Sequence, residues 1–255
     1  MRSIYGVNPV IESLRSERVP REIVIAEGAR DARLRELIEL AHAKQVTIKH
    51  APRSALDREA GTSHHQGVVA RVAPAEYADA EVLLELITKN GGAKEPLVLL
   101  LDGIEDPRNL GAILRTAECA GVNGVFIPER RAAGLNETVS KASAGAVEHL
   151  PVARVTNLNR LIEQLKERNV WVVGTSADAA IDYTEWDWTR PAAVVLGAEG
   201  AGLHRLVRER CDALVKIPVQ GKIESLNVSV AAGIILYEAL RQRLLKPETQ
   251  NTDGL

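Results

Sequence analysis

The sequence predicts an α/β protein of two unequal domains, the larger built on a mostly parallel sheet flanked by helices. Its 255 residues exceed the usual size of a single domain, about 100 to 200 residues. Apolar runs of four or five residues alternate with helical patterns, which is typical of strands buried on both faces. A hydrophobic fraction of 45% and a charged fraction of 26% are typical of globular proteins, so the chain is predicted to fold.

The composition argues against several functional classes. The best candidate for a membrane span, residues 228–236, is interrupted by Ser229 and falls short of the roughly 20 apolar residues required. The start, MRSIYGVNPVIESLRSE, has no apolar stretch of signal-peptide length. The two cysteines, Cys119 and Cys211, lie far apart, so a reducing cytoplasm is the expected compartment.

The net charge of −2 is unevenly distributed along the chain. Residues 1–74 carry 12 basic and 9 acidic side chains, whereas residues 75–106 carry 2 basic and 8 acidic ones. Residues 107–255 are nearly balanced, with 18 basic and 17 acidic side chains. A small net charge therefore does not exclude a nucleic-acid partner, because a basic face can be hidden in the sum.

Residues 1–74 are predicted to form a small α/β domain. Apolar runs at 23–26, 46–48 and 68–72 surround the helical pattern DARLRELIELAHAK, whose apolar residues share one face. The acidic, proline-containing segment 75–94 follows, with a short helix predicted around 81–87 and the sequence Asn-Gly-Gly near its end. We interpret this segment as an interdomain linker.

Residues 95–245 are predicted to form the second domain. Its strands are expected at LVLLL, GVFIP, VWVVG, AVVLG and ALVKIP. Helices are expected at LGAILRTAECAG and LNRLIEQLKER, and near residues 137–146, 203–210 and 227–244. The tail, residues 246–255, is polar and without apolar periodicity, so it is predicted to be flexible.

Three loops that follow predicted strands are candidates for a functional site, because open parallel sheets bind ligands beyond the carboxyl ends of their strands. In the first, LVLLLDGIEDPRNLGAILRTAE, Asn109 lies at the start of a helix and can cap its free amides. Arg115 follows six residues later. A helix cap with a solvated arginine is the alternative interpretation of this loop alone.

The second loop, AVVLGAEGAGLHRL, places three glycines around Glu199. Glycines let backbone amides approach a ligand, but this spacing matches neither the dinucleotide fingerprint nor a P-loop, so a structural turn stays an alternative. In the third loop, VKIPVQGKIESLNVSVAAGIILYEAL, Ser225 and Asn227 precede an apolar helix. These polar side chains cap the helix, or its free amides bind a ligand.

The three loops would converge on one crevice of one sheet, and together they are distinctive. DPRNLGAILRTAECAGV, VVLGAEGAGL and IPVQGKIESLNVSVAAGIILYE closely resemble, in order and spacing, the three motifs of the SpoU/TrmH (SPOUT) family of RNA ribose 2'-O-methyltransferases. The resemblance covers residues 96–243 without a departure at a motif position. With the amino-terminal unit and its HHQGVVARV segment, it extends to nearly the whole chain.

The resemblance implies a fold, a cofactor and partners. It implies a carboxy-terminal trefoil knot that binds S-adenosylmethionine (SAM), a homodimer, and a reaction without a metal. It also implies that residues 1–74 are an RNA-binding domain similar to a ribosomal-protein fold, which agrees with their slight basic excess. The implied reaction is methylation of a guanosine 2'-hydroxyl in 23S rRNA, in the peptidyl-transferase P loop. Ribose methylation of tRNA and a non-catalytic ribosome-assembly factor that binds RNA and SAM are the alternatives.

The residues that match the family motifs inherit expected roles. The implied catalytic set is Asn109, Arg115, Glu199, Ser225 and Asn227. A charged guanidinium has no acceptor lone pair, so we expect Arg115 to orient a phosphate or to lower the pKa of the hydroxyl. A neutral Arg115 held in a buried network is an alternative. Glu199 is the other candidate proton acceptor, or the group that fixes Arg115 through a bidentate pair.

The resemblance also implies a cofactor site and an RNA surface. The expected cofactor-binding residues are Gly174, Thr175, Leu196, Gly197, Glu199, Gly200, Ile217, Pro218, Ser225 and Leu226. The expected RNA contacts are His64, His65, Arg108, Arg115, Arg130, Arg131 and Lys141. The two adjacent histidines are expected on opposite faces of an extended segment, which disfavours a shared metal. A polar loop without RNA contact is the alternative for the two histidines. For Arg130, Arg131 and Lys141, which lie in a polar stretch after GVFIP, the alternative is a solvated charged face.

Overall fold

The computed structural model describes residues 2–16, 19–29, 32–72, 76–89, 95–223 and 225–245. They form two sheets, one of four strands near the amino terminus and one of seven strands in the remainder of the chain. Among the described helices, none combines the length and apolar character needed to cross a bilayer. The predicted flexible tail, 246–255, lies outside the described residues.

The first sheet has the order β1-β4-β2-β3. Its strands are β1 (Arg2–Tyr5), β2 (Glu22–Ala26), β3 (Thr47–Ala51) and β4 (Val68–Val72). Strand β4 is antiparallel to both neighbours, whereas β2 and β3 are parallel. The predicted apolar runs are strands here, but sequence periodicity did not reveal β1.

Three helices cover both faces of this first sheet. They are α1 (Val7–Arg15), α2 (Ala32–Ala43) and α3 (Arg53–Ala60). Ile23 and Ile25 face the core shared with α1 and α2, whereas Val24 faces the core shared with α3. Successive residues of β2 are therefore buried on opposite faces, which explains why this strand is an unbroken apolar run.

The second sheet has the order β7-β6-β5-β10-β8-β11-β9, and all six of its pairings are parallel. This confirms the predicted parallel α/β architecture. The strands are β5 (Leu97–Asp102), β6 (Gly124–Pro128), β7 (Val152–Val155), β8 (Trp171–Thr175), β9 (Ile181–Asp182), β10 (Ala192–Gly197) and β11 (Ala213–Lys216). The short strands β7 and β9 were not predicted. Strand order does not define a threaded chain, so the trefoil knot stays a prediction.

Helices cover both faces of the second sheet. They are α4 (Ala80–Lys89), α5 (Pro107–Cys119), α6 (Glu137–Ala142), α7 (Leu158–Glu167), α8 (Arg205–Arg210) and α9 (Val228–Leu245), with a 3₁₀ turn at Ala146–Glu148. Leu99 and Leu101 of β5 pack in the core that includes α5 and α9. Val98 and Leu100 pack in the opposite core, which includes α4 and α7. Strand β5 therefore has no polar position before its last residue, Asp102.

Helix α4 lies within the segment interpreted as a linker. Its residues Leu83, Leu84 and Ile87 are buried in the second core. The described part of that segment therefore contributes a helix to the second sheet, while its Asn-Gly-Gly sequence lies outside the described residues.

Candidate active site

The four central strands of the second sheet end at one edge. Strands β5, β10, β8 and β11 are neighbours in that order and run parallel. Their last residues are Asp102, Gly197, Thr175 and Lys216. The loops that follow them therefore emerge together, which is where open parallel sheets bind ligands. The three motif loops are three of these connections.

The loop after β10 is a tight turn that requires glycine. The amide and carbonyl of Ala198 pair with the carbonyl and amide of Gly202, at 3.0 and 2.9 Å. A Cβ atom on Gly197 would lie 2.2 Å from the carbonyl carbon of Gly202, so no side chain fits there. Gly202 itself has a φ of +67°, in the region that favours glycine. This turn holds Glu199 in an exposed position at the sheet edge.

Three predicted residues from three loops form one hydrogen-bonded cluster. The side-chain amides of Asn109 and Asn227 each donate to Glu199 Oε1, both at 2.8 Å. The Asn227 amide also donates to Asn109 Oδ1, at 3.1 Å. We call these residues the Asn-Glu-Asn cluster. Among the described residues, nothing donates to Glu199 Oε2, so this oxygen can accept a hydrogen bond or a proton from a ligand.

The capping of α5 and α9 explains why the side-chain amides of Asn109 and Asn227 are directed at Glu199. Asp106, not Asn109, caps α5: its carboxylate accepts from the Arg108 amide at 2.7 Å, so the expectation that Asn109 caps this helix was wrong. A carboxylate one turn earlier already satisfies the helix start, which leaves Asn109 free to contact Glu199. At α9, Asn227 Oδ1 accepts from the Ser229 amide at 2.9 Å while its amide donates to Glu199.

A cavity of about 550 Å³ lies beside the cluster and beyond the ends of β8, β10 and β11. We call it the β8 cavity. The predicted cofactor residues that line it are Thr175, Leu196, Gly197, Glu199, Gly200, Ile217, Ser225 and Leu226. Two predicted residues do not line it: Gly174 is buried within β8, and Pro218 is exposed next to Ile217.

The lining of the β8 cavity combines apolar and charged groups. Val219 and Leu226 are large apolar residues that remain 43% and 40% exposed. The Asp178 carboxylate accepts from the Ser176 hydroxyl at 2.5 Å, and each of its two oxygens accepts from the Arg208 guanidinium at 2.9 Å. The Ser176 hydrogen bond, followed by that of Arg208, lowers the pKa of Asp178. The cavity therefore suits a ligand with an apolar part and polar or cationic ends.

Arg115 is not part of this arrangement. It is exposed on α5 and lines a separate cavity with Glu12 and Arg15 of α1. Six residues of an α-helix rotate by about 600°, which is one full turn and about 240° more. The side chains of Asn109 and Arg115 therefore point in different directions from α5. Within one chain, Glu199 is held by two amides and not by the guanidinium expected from the sequence.

The predicted RNA-contacting residues are dispersed. Arg108, Arg130 and His64 are exposed, whereas the His65 side chain is fully buried. His65 Nε2 lies 3.0 Å from Asp57 Oδ1, and its Nδ1 accepts from the Gly67 amide at 3.0 Å. This supports the structural alternative for His65, since a buried ring that bonds through both nitrogens is closed to RNA.

Two further basic residues from the same set have defined surroundings. The Lys141 ammonium donates to the Tyr5 hydroxyl at 2.7 Å and lies 4.8 Å from the centre of that ring. It thereby connects α6 to the first sheet. Arg131 lines a second cavity at the sheet edge, together with Asn109 and Glu199.

Sequence reasoning missed one pair of residues, of which His204 lines that second cavity. The buried Asp102 carboxylate accepts from the backbone amide of His204 at 2.8 Å, and its other oxygen lies 2.9 Å from His204 Nδ1. The available signals were an aspartate that ends an apolar strand and a histidine that directly follows the glycine-rich loop.

Fold and site together define an α/β ligand-binding protein whose polar cluster lies at the carboxyl edge of a parallel sheet. Residues 96–237 match the sequence model of the SpoU rRNA methylase family. Residues 3–78 match that of the RNA 2'-O ribose methyltransferase substrate-binding domain. The chain therefore belongs to the SpoU/TrmH family and is an RNA methyltransferase of that family, which confirms the resemblance seen in the motifs.

Individual relatives agree with this assignment. A Bacillus subtilis protein assigned to the TrmH family of tRNA/rRNA methyltransferases, YacO, is 49% identical over 240 residues, which cover 94% of this chain and 95% of that protein. The SpoU methyltransferase AviRb of Streptomyces viridochromogenes, solved with AdoMet, is 26% identical. It superposes with a TM-score of 0.77 over 95% of this chain and 90% of its own. A TrmH/SpoU tRNA-modifying enzyme of A. aeolicus, 31% identical, covers 64% of this chain and 84% of its own, with a TM-score of 0.55.

Proposed function

We propose that this protein transfers the methyl group of SAM to the ribose 2'-hydroxyl of a guanosine in 23S rRNA, in the peptidyl-transferase P loop, as enzymes of the RlmB type do. The observation that carries the proposal is the Asn-Glu-Asn cluster, which joins three motif loops beside a ligand-sized cavity. The reaction would take place in the cytoplasm, where ribosomal RNA is assembled in bacteria.

The β8 cavity fits SAM chemically. The cofactor supplies a methyl group on a positively charged sulfur. Val219 and Leu226 offer apolar surface to its adenine, and the loops at Gly197 and Ile217 offer backbone groups for polar contacts. The Glu199 carboxylate gives this cavity a negative group suited to a sulfonium. The relative AviRb was solved with AdoMet, which supports the same ligand here.

The chain's own residues can align the hydroxyl and remove its proton. In the transfer, the 2'-oxygen forms a bond to the methyl carbon as the carbon–sulfur bond breaks, and its electron pair goes to the sulfur. The hydroxyl proton must then go to an acceptor. Glu199 Oε2 is suited to this task because the two asparagine amides fix Oε1, while no described residue donates to Oε2. Ser225, which lines the same cavity, is proposed to help position the reactants.

Chain coverage favours rRNA over tRNA as the substrate. The AdoMet-bound rRNA methyltransferase of Sinorhizobium meliloti covers 94% of this chain with a TM-score of 0.76. Two solved structures of proteins that modify tRNA cover only 64% and 59% of this chain. Residues 3–78, which match the substrate-binding model, would account for most of this difference. We propose that this domain, with His64 exposed on it, holds the rRNA near the cluster.

We also propose that the protein acts as a homodimer. Val230, Tyr237 and Leu244 are spaced seven residues apart on α9 and are 50%, 51% and 74% exposed. Apolar side chains at this spacing form a stripe along one side of a helix, which is suited to pack against another helix. Arg115 lies on α5, which packs against α9 where Gly233 approaches Thr116. A second copy on this stripe would lie near Arg115.

The first experiment measures transfer of labelled methyl from SAM to protein-free 23S rRNA from cells that lack the gene, followed by mapping of the modified ribose. Modification of a single guanosine in the P loop is the expected result. Methyl transfer to unmodified tRNA and not to rRNA would support the proposed methyl transfer but would show that 23S rRNA is not the substrate. SAM binding without transfer to either RNA would instead support the assembly-factor alternative.

A further inference from the structure

A second cavity adjoins the Asn-Glu-Asn cluster. It has a volume of about 470 Å³, within the range of about 300 to 1,000 Å³ typical of small-ligand sites. It lies beyond the end of β5, and we call it the β5 cavity. Strand β10 lies between β5 and β8 in the sheet, so the loop after β10 separates the two cavities. Glu199 on that loop lines both of them.

This arrangement suits a transfer between two ligands. If the β8 cavity holds the methyl donor, the β5 cavity is the space on the other side of Glu199. A nucleoside placed there would meet the donor at the cluster, where the hydroxyl can be aligned with the methyl group.

His204 is held in a fixed orientation at the β5 cavity. Asp102 is only 4% exposed, and its two carboxylate oxygens contact the amide and Nδ1 of His204 at 2.8 and 2.9 Å. An ionised carboxylate only accepts hydrogen bonds, so Nδ1 carries the hydrogen and Nε2 of the neutral ring is an acceptor. The side chain is 53% exposed, and the residue lines the cavity. Its ring lies beside Gly103, where a Cβ atom would be 3.5 Å from His204 Cε1.

The charge of the β5 cavity indicates which part of a nucleotide enters it. Glu105, Asp106 and Glu199 are carboxylates, and Arg131 is the one guanidinium among the described lining residues. Three carboxylates repel a phosphate from the interior, whereas they accept hydrogen bonds from the N–H and O–H groups of an uncharged nucleoside. A phosphate would pair with Arg131, which is exposed.

From these contacts we propose that the β5 cavity receives the nucleoside that is to be methylated, and that His204 Nε2 accepts a hydrogen bond from it. His204 is thus a substrate-positioning residue, and Asp102 sets its tautomer and its direction. This inference rests on the proposed methyl transfer and adds to it the place and one recognition contact of the acceptor nucleoside.

Two substitutions separate this role from a structural one. His204→Asn keeps a nitrogen donor near Asp102 and removes the distal acceptor. His204→Gln places an amide oxygen near the position of Nε2. Arg205→Ala is the matched control, because this neighbour is 76% exposed and pairs with Glu209. We expect His204→Asn to raise KM for rRNA roughly three- to tenfold, as for loss of one hydrogen bond. His204→Gln should restore much of that loss, and the Kd for SAM should stay unchanged in both.

The opposite result, a wild-type KM for rRNA in His204→Asn and a raised KM in His204→Gln, would show that His204 only anchors its loop. That result would overturn the proposal. Wild-type KM in both variants would overturn it as well. A second readout does not depend on turnover: imidazole ¹⁵N NMR of the full chain during titration with the trinucleotide ApGpA. The Nε2 signal of His204 should shift, and an unmoved signal would contradict the proposal. An inactive wild-type protein with a shifted Nε2 signal would count against the methyl transfer and leave the nucleoside site supported.

Discussion

At the scale of single residues, the site depends on one carboxylate whose two oxygens differ. Oε1 of Glu199 accepts two amide hydrogen bonds at 2.8 Å, and Oε2 accepts none from the described residues. Such an arrangement fixes the carboxylate plane and directs the free oxygen. The three partners come from positions 109, 199 and 227, so the geometry depends on the fold and not on one motif.

Replacing Glu199 with glutamine tests its proposed role as proton acceptor. Glutamine has nearly the same shape and retains an oxygen that can accept from the asparagines, but it is a far weaker base. We expect the single-turnover rate of methyl transfer to fall by about 10² to 10⁴. SAM affinity, measured by calorimetry, should change by less than the rate does. Glu209→Gln, at an exposed ion pair with Arg205, is the control and should keep the wild-type rate. A Glu199→Gln enzyme of normal rate would exclude this role.

At the scale of elements, the turn after β10 determines where Glu199 lies. The paired backbone groups of Ala198 and Gly202 close this turn, and Gly197 packs against Gly202 without space for a side chain. The β8 cavity and the β5 cavity share this wall. A change in the turn should therefore affect both ligands at once.

Gly197→Ala should distort this turn. Its Cβ atom would lie 2.2 Å from backbone carbon, a contact that only movement of the loop can relieve. We expect a lower Tm and a loss of SAM affinity of at least about tenfold, because overpacking typically costs 1 to 3 kcal/mol. Gly221→Ala is the matched control: among the described residues its Cβ would have one neighbour within 4 Å, at 3.9 Å, and both quantities should stay near wild type. If Gly197→Ala and Gly221→Ala had the same Tm and the same SAM affinity, the turn would tolerate a side chain at position 197 and the prediction would be wrong.

At the scale of the whole molecule, the sequence was informative about strands and less so about contacts. The apolar runs of β5 and β10 and the motif loops after them could be identified, because burial on both faces leaves a clear pattern. Helix α3 and strand β9 escaped notice, since the first is mostly polar and the second has only two residues. The pairing of Asp102 with His204 joins residues 102 positions apart, which no local pattern encodes.

The separation of Arg115 from the cluster in one chain leads to a prediction about the assembly. The motif resemblance assigns Arg115 to the catalytic set, but here it lies on the outer side of α5, next to the helix that carries the exposed apolar stripe. Both observations are satisfied if Arg115 of one protomer acts at the Asn-Glu-Asn cluster of its partner. In a protein whose two protomers both carry Arg115→Ala, methyl transfer should be abolished and the affinity for SAM should stay nearly intact.

A mixture of two inactive variants tests this directly. When Arg115→Ala and Asn227→Ala chains are co-expressed at equal levels, half of the dimers are mixed, and each mixed dimer holds one site with both residues intact. Activity should then return to about a quarter of the wild-type value. If Arg115 acts within its own chain, every site lacks one residue and the mixture stays inactive. Tyr237→Glu, which places a charge in the stripe, should abolish this recovery and give a monomer in light scattering, because complementation requires that the two copies meet.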